Sequence, residues 1–177
     1  MRSWRTLEVV TLFRHRIFQL ERHAVEAGAD VREAMVLRAP DWVNVIARDG
    51  DGGVLMVRQW RYGIGAPTLE IPGGMIDPGE SDRDAAEREL WEETGYRAAS
   101  WTRLGEVHPN PAFLANRCST WVAEELTRLG EPQGDGEEEL LVERMPLSEI
   151  PALVERGEIS HALVIAAFYL LDHAGAR

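Results

Sequence analysis

Glutamates at positions 89, 92 and 93 stand three and four residues apart. On an α-helix that spacing projects all three side chains from neighbouring positions. Like charges so placed weaken a helix unless a cation neutralises them, and carboxylate oxygens are hard donors, matched to magnesium or manganese rather than zinc. Glu80 approaches the same face from the loop or first turn, and Arg88 can pair with a glutamate and orient it. Glycines precede the helix, where they allow close backbone approach and where a carbonyl can add a further ligand. Taken alone, a Glu-x-x-Glu-Glu cluster is more often the solvated face of an ordinary helix. The surrounding segment has to decide.

The element that carries the cluster is a helix over Asp82–Glu93, with Ala85, Ala86, Leu90 and Trp91 as its apolar stripe. Ser81 fits an N-cap, Asp82 and Asp84 suit the first turn, and Gly95 is a natural stop. Upstream, Arg16–Arg38 reads as two short strands joined at Ala27-Gly28-Ala29-Asp30. Trp42–Ala47 and Val54–Val57 read as a hairpin around Asp49-Gly50-Asp51-Gly52-Gly53, and Thr68–Ile71 is a short strand ending at Pro72-Gly73-Gly74. Downstream come strands at Trp101–Val107 and Cys118–Ala123, a loop over Gly130–Glu139 and a last strand at Leu140–Met145. Helices at Ser148–Arg156 and His161–His173 close the chain. Many strands, one early helix and terminal helices give an α/β (α+β) sandwich rather than a doubly wound sheet.

Composition sets the limits. The chain of 177 residues has 45% hydrophobic and 28% charged residues, the profile of a globular protein with one substantial core. Its formal charge of -11 argues against nucleic acid as a partner, since phosphate backbones need a basic face. An acidic patch suits divalent cations that then recruit an anionic substrate. Cys118 is the single cysteine, so no intramolecular disulfide and no cysteine-based zinc site is expected. The apolar stretch after Arg2 and Arg5 is short and broken by Glu8, with no small-residue cleavage site. The longest apolar run, Ala162–Leu171, falls short of the roughly 20 residues a membrane helix needs. The expected location is the cytoplasm, with no membrane partner.

Gly74, five residues, Glu80, seven residues, then Arg-Glu-Leu-Trp-Glu-Glu-Thr-Gly-Tyr match the Nudix box at every defined position. The segment resembles the Nudix hydrolase family. That resemblance implies a loop–helix–loop on a mixed sheet between helices, and hydrolysis of a nucleoside diphosphate linked to another moiety. It also implies a divalent metal, Mg2+ with Mn2+ as the alternative, on Glu89, Glu92, Glu93 and the carbonyl of Gly73, with Arg88 holding the glutamates. The run Val57-Arg58-Gln59-Trp60-Arg61-Tyr62 and the later Leu69-Glu70-Ile71-Pro72-Gly73-Gly74 are similar to the ADP-ribose pyrophosphatase subgroup, as are Pro111 and the turn at Gly157–Ala162. ADP-ribose or a related nucleoside diphosphate sugar is therefore the expected substrate. The alternatives are dinucleoside polyphosphates, nucleoside triphosphates or dinucleotide coenzymes. A ligand-sensing module without catalysis fits poorly, because every box glutamate is present.

In this subgroup the general base comes from a glutamate in a late loop, where Glu137-Glu138-Glu139 lie; Glu138 is the first choice, with Glu137 and Glu139 as alternatives. Arg58 and Arg61 are candidate phosphate ligands, although on a strand 58 and 61 point to opposite faces. Pro111, Phe113 and Asn116 are candidates for the distal half of the substrate. Their loop, His108-Pro109-Asn110-Pro111-Ala112-Phe113-Leu114-Ala115-Asn116-Arg117, departs from the subgroup's usual proline-glycine pair. Trp42, Trp60 and Tyr62 are expected in packing more than in base stacking. Residues 1–40 read as a strand extension for a homodimer, by likeness to the subgroup, and 41–177 as the hydrolase domain.

Overall fold

The computed structural model describes residues 1–133 and 140–174, which form two compact units. The first comprises Met1–Asp41 with His108–Arg117. Its strands β1 (Arg5–Arg14), β2 (Gln19–Ala27) and β3 (Asp30–Arg38) make an antiparallel sheet in the order β1-β2-β3. The β2–β3 turn pairs Ala27 with Asp30 and places Gly28 at φ +65°, a conformation glycine adopts without steric cost. The segment 108–117 is tied to β3, with Leu37 N–H donating to Phe113 O at 2.8 Å and Ala115 N–H to Leu37 O at 3.1 Å.

The second unit, Trp42–Val107 with Cys118–Arg177, carries the remaining elements. These are β4 (Trp42–Ala47), β5 (Gly53–Arg61), β6 (Ala66–Glu70), β7 (Gly73–Met75), α1 (Asp82–Thr94), β8 (Tyr96–Val107), β9 (Cys118–Arg128), β10 (Leu141–Pro146), α2 (Ile150–Glu155) and α3 (Ala162–Asp172). Two sheets form, one in the order β10-β5-β6 and one in the order β7-β4-β9-β8. The pairing of β4 with β9 is parallel and its neighbours are antiparallel, so the second sheet is mixed.

Alternation along β4 explains the layers. Val43, Val45 and Ala47 pack with Ala85, Ala86 and Leu90 of α1, while Ile46 packs with Ile150, Leu153, Val164 and Phe168 on the other side. A sheet buried on both faces by helices is the expected mixed α/β (α+β) architecture. Buried Asn44 spends its amide on α3, donating from Nδ2 to Leu163 O at 3.1 Å.

One pairing and several bounds differ from the sequence reading: β4 and β5, expected as hairpin partners, lie in separate sheets and meet at the isolated Arg48–Val54 bridge. Strand β1 lies before the two strands read over Arg16–Arg38, and its pairing with β2 makes it the third strand of that sheet. Strands β8 and β9 are longer than their apolar cores, since Tyr96 pairs with Arg128 and the ladder runs from there to Val107 and Cys118. The helix expected over Ser148–Arg156 opens with a 3-10 turn, Leu147–Glu149, and becomes α-helical only at Ile150. Pro151 suits a first turn, where no intrahelical N–H is needed.

Candidate active site

Helix α1 is fixed at both ends. Ser81 Oγ accepts from Asp84 N–H at 3.1 Å, and Asp82 and Asp84 sit in the positive first turn. Gly95 closes the helix at φ +72°, donating its N–H to Trp91 O at 2.9 Å. A β-carbon there would stand 2.2 Å from the carbonyl oxygen of Gly130, so both space and conformation require glycine. Ala85, Ala86 and Leu90 bury the apolar side, which leaves Arg88, Glu89, Glu92 and Glu93 along the wall of a cleft.

Arg88 joins the helix to the preceding loop. Nε and Nη2 donate to the two oxygens of Glu80, each at 3.0 Å, and Nη2 also reaches Met75 O at 2.9 Å. Nη1 donates to Glu89 Oε1 at 2.8 Å and to Glu92 Oε2 at 3.1 Å. A planar guanidinium with five N–H donors is suited to such a hub. Its carboxylates hold Arg88 firmly protonated, Glu80 foremost. In return, the Arg88 hydrogen bonds pull the Glu80 carboxyl below its ordinary value. Glu89 responds in the opposite sense: burial pushes its carboxyl up, and the Arg88 contacts only partly offset this.

The glycines face these carboxylates. Gly73 N–H donates to Glu93 Oε2 at 3.0 Å, and a β-carbon on Gly73 would lie 2.3 Å from Val43 O. A β-carbon on Gly74 would lie 2.2 Å from Glu89 Oε1. The cleft encloses about 240 Å³, and Trp42, Gln59, Arg61 and Leu140 complete its wall. Arg61 is gripped by Glu70, with Nε and Nη2 donating to the two carboxylate oxygens at 2.8 and 2.7 Å.

Hard oxygen donors beside a cradle that any β-carbon would fill are a donor set fit for a divalent cation. Among the described residues, no three Asp, Glu, His or Cys side chains are gathered at metal-ligand spacing. The box carboxylates are turned instead to Arg88 and to Gly73 N–H.

The fold thus brings Gly73, Arg88, Glu89, Glu92, Glu93 and Arg61 to one cleft. Arg58 does not line it: the odd spacing sends its side chain to the other face of β5, where Nε donates to Glu143 Oε1 at 2.7 Å. Pro111, Phe113 and Asn116 belong to the first unit. There Phe113 is exposed, while Asn116 is buried and donates from Nδ2 to Pro40 O at 3.2 Å. Glu137, Glu138 and Glu139 lie outside the described residues. Trp42 is half-buried in the cleft wall, whereas Trp60 and Tyr62 are exposed on the single chain. Sequence reasoning gave no role to Glu70 or Gln59, although a charged residue inside the apolar strand Thr68–Ile71 was itself a signal that a partner must be near.

Comparison with known proteins agrees with this geometry. A family model described as the NUDIX domain matches residues 39–168. The chain is 31% identical over 167 residues to an ADP-ribose pyrophosphatase of Mycobacterium tuberculosis, covering 93% of this chain and 81% of that protein. It is 30% identical over 167 residues to the ADP compounds hydrolase NudE of Escherichia coli, covering 93% and 89%. A crystal structure of an ADP compounds hydrolase superposes with a TM-score of 0.86 at 28% identity, covering 98% of this chain and 94% of that one. With the box on a capped helix, its glutamates on one cleft and these relatives, the chain belongs to the Nudix family as a pyrophosphohydrolase.

Proposed function

We propose that the protein hydrolyses the pyrophosphate bond of a nucleoside diphosphate linked to another moiety, ADP-ribose or a related nucleoside diphosphate sugar, in a divalent-metal-dependent reaction. One observation carries the reading. The backbone of Gly73 and Gly74 meets the carboxylates of Glu93 and Glu89 in a cleft that Arg88 braces and Arg61 overlooks. Glu89, Glu92, Glu93 and the Gly73 carbonyl are the groups to hold Mg2+ or Mn2+. When bound, such an ion supplies charge neutralisation on the pyrophosphate and activation of water. Arg88 keeps Glu89 and Glu92 aimed, and Arg61 binds a phosphate oxygen. Glu138, or Glu137 or Glu139 beside it, takes the proton from the attacking water.

The ADP-ribose pyrophosphatase and ADP compounds hydrolase relatives, matched over most of the chain, favour an adenosine diphosphate derivative as substrate. A second reading, dinucleotides and other ADP compounds, is favoured by the ADP compounds hydrolase likeness in both sequence and structure. Residues 1–40 are assigned to a homodimer contact and 41–177 to the hydrolase domain. The exposed Leu7, Val9, Leu12 and Phe13 of β1 support a partner there. Among the described residues no helix is long and apolar enough to cross a membrane, and the cytoplasm is the proposed location.

The test is a substrate panel with magnesium and with manganese, scored for nucleoside monophosphate and the second phosphate product. ADP-ribose, sugar nucleotides, diadenosine polyphosphates and reduced coenzymes belong on it. Turnover of ADP-ribose that stops with a chelator is expected, and inactivity on every diphosphate compound would reject the reading. Replacing Glu138 by Gln should slow the rate by about 100-fold; a loss at Glu137 or Glu139 instead moves the role. Light scattering at micromolar concentration should give the mass of two chains.

A further inference from the structure

Glu70 closes β6 with only 3% of its surface exposed. A carboxylate buried to that degree requires both opposite charge and hydrogen bonds to be stable. Arg61 supplies the charge through its two-pronged grip, and Thr68 Oγ1 donates a third hydrogen bond to Glu70 Oε1 at 2.5 Å. Burial alone would raise the Glu70 carboxyl, but the Arg61 and Thr68 hydrogen bonds outweigh it and hold the group below its ordinary value.

The strand register shows that this contact is not a by-product of pairing. Arg61 lies opposite Ala66, whereas Glu70 lies opposite Val57. The arginine side chain therefore runs back along the strand pair to meet the carboxylate. His161 lies in the field of both charges, and burial holds its imidazole below the ordinary value. Glu70 is outside the cleft wall, while Arg61 is part of it beside Glu89, Glu92 and Glu93. Long arginine side chains sample many rotamers unless anchored, and a bidentate grip fixes the plane of the guanidinium as well as its place.

We propose that Glu70, supported by Thr68, is a positioning residue for the phosphate site. It presets the guanidinium plane of Arg61 in the cleft, so that an anionic phosphate group of the substrate meets an arginine already oriented. The inference rests on the reading of the cleft as a diphosphate site, and its own content is that Glu70 acts only through Arg61.

The experiment is a double-mutant cycle with two readouts. Binding of inorganic pyrophosphate and of ADP-ribose is measured by calorimetry in chelator, and turnover of ADP-ribose is measured with magnesium. Glu70→Gln should weaken binding of both probes and raise KM by about 10-fold, with kcat changed far less. In an Arg61→Ala background the same replacement should change neither by more than about 2-fold. The Arg61 Nε–H resonance, identified by its loss in Arg61→Lys, should be protected from exchange in the wild type and exposed in Glu70→Gln. Equal losses in both backgrounds, or unaltered binding and KM, overturn the proposal. If Glu70→Gln fails to fold, Thr68→Val replaces it. A smaller rise in KM with faster exchange at Arg61 is then expected, and no change in either overturns the proposal. A wild type that binds pyrophosphate, with the Glu70 dependence intact, but hydrolyses nothing on the panel refutes the proposed reaction and leaves this assignment standing. A wild type that binds neither probe in chelator and turns over nothing with magnesium refutes both.

Discussion

Gly74 lies so close to the carboxylate of Glu89 that a β-carbon on the glycine would stand 2.2 Å from Glu89 Oε1. That carboxylate is not free to swing aside, because Oε1 also accepts from Arg88 Nη1 at 2.8 Å. Gly74→Ala should displace Glu89 while leaving the core intact. A shift of about 1 Å in a catalytic constellation can lower the rate about 100-fold. The expected outcome is a loss of that order in kcat/KM with a melting temperature close to wild type, read by steady-state kinetics and calorimetry.

Glu93 is the box glutamate that contacts the backbone rather than Arg88, accepting from Gly73 N–H at 3.0 Å. Glutamine keeps an oxygen for that bond and removes only the charge. Glu93→Gln should therefore retain the fold and lose about 100- to 1,000-fold in kcat, the scale for removing one electrostatic contact to a transition state. Circular dichroism and magnesium-dependent turnover check the two halves. Wild-type turnover in the variant would remove Glu93 from the proposed metal set.

In the first unit, Glu21 is buried and lies 2.8 Å from His23 Nε2 and 3.1 Å from Arg38 Nε. The His23 hydrogen bond first, and then that of Arg38, hold its carboxyl below the ordinary value of 4.5. Because the folded value is the lower one, the ionised group stabilises the fold above pH 4.5, and that contribution is lost as pH falls through the folded value. Glu21→Gln should lower the melting temperature by about 2–4 °C at pH 7. The gap to wild type should close as the buffer is taken toward pH 3, which a thermal series across pH measures.

Burial alone pushes the thiol of Cys118 up from 9.0 to about 12. The folded protein thus favours the neutral thiol, a contribution fully present below pH 9 and lost as pH rises toward 12. Thiolate is the reactive form. Ellman's reagent at pH 8 should leave the native protein unlabelled for hours and titrate one thiol per chain in denaturant. Rapid labelling of the native protein would contradict the burial of Cys118.

The site helix was the most legible part of the sequence because several local rules agree there. Ser81 caps, Gly95 stops, Ala85, Ala86 and Leu90 mark the buried face, and the glutamates follow the opposite one. Strand ends were less legible: β9 continues through Glu124 and Thr127, which are polar and are held by pairing with Ser100 and Arg97 of β8. The same applies to side-chain partners. The spacing of Arg58 and Arg61 announced opposite faces, but which one met the cleft depended on Glu143 and Glu70, brought in by other strands. The five-way role of Arg88 was visible only as a charge adjacent to charges.

The parallel pairing of β4 with β9 sets an order of events during synthesis. β4 carries Val43, whose pairing with Gly74 fixes the glycine strand of the cleft, and its other edge is covered only by β9. A ribosome-bound chain that has emerged through Tyr96 already contains the whole Nudix box, yet its central strand has no parallel neighbour and no α3 to cover its second face. Long-range parallel pairs form late because chain closure must precede their reward. The glutamate helix therefore exists as sequence well before it exists as a site. Release of nascent chains arrested between Gly95 and Cys118 should yield protease-sensitive, aggregation-prone products.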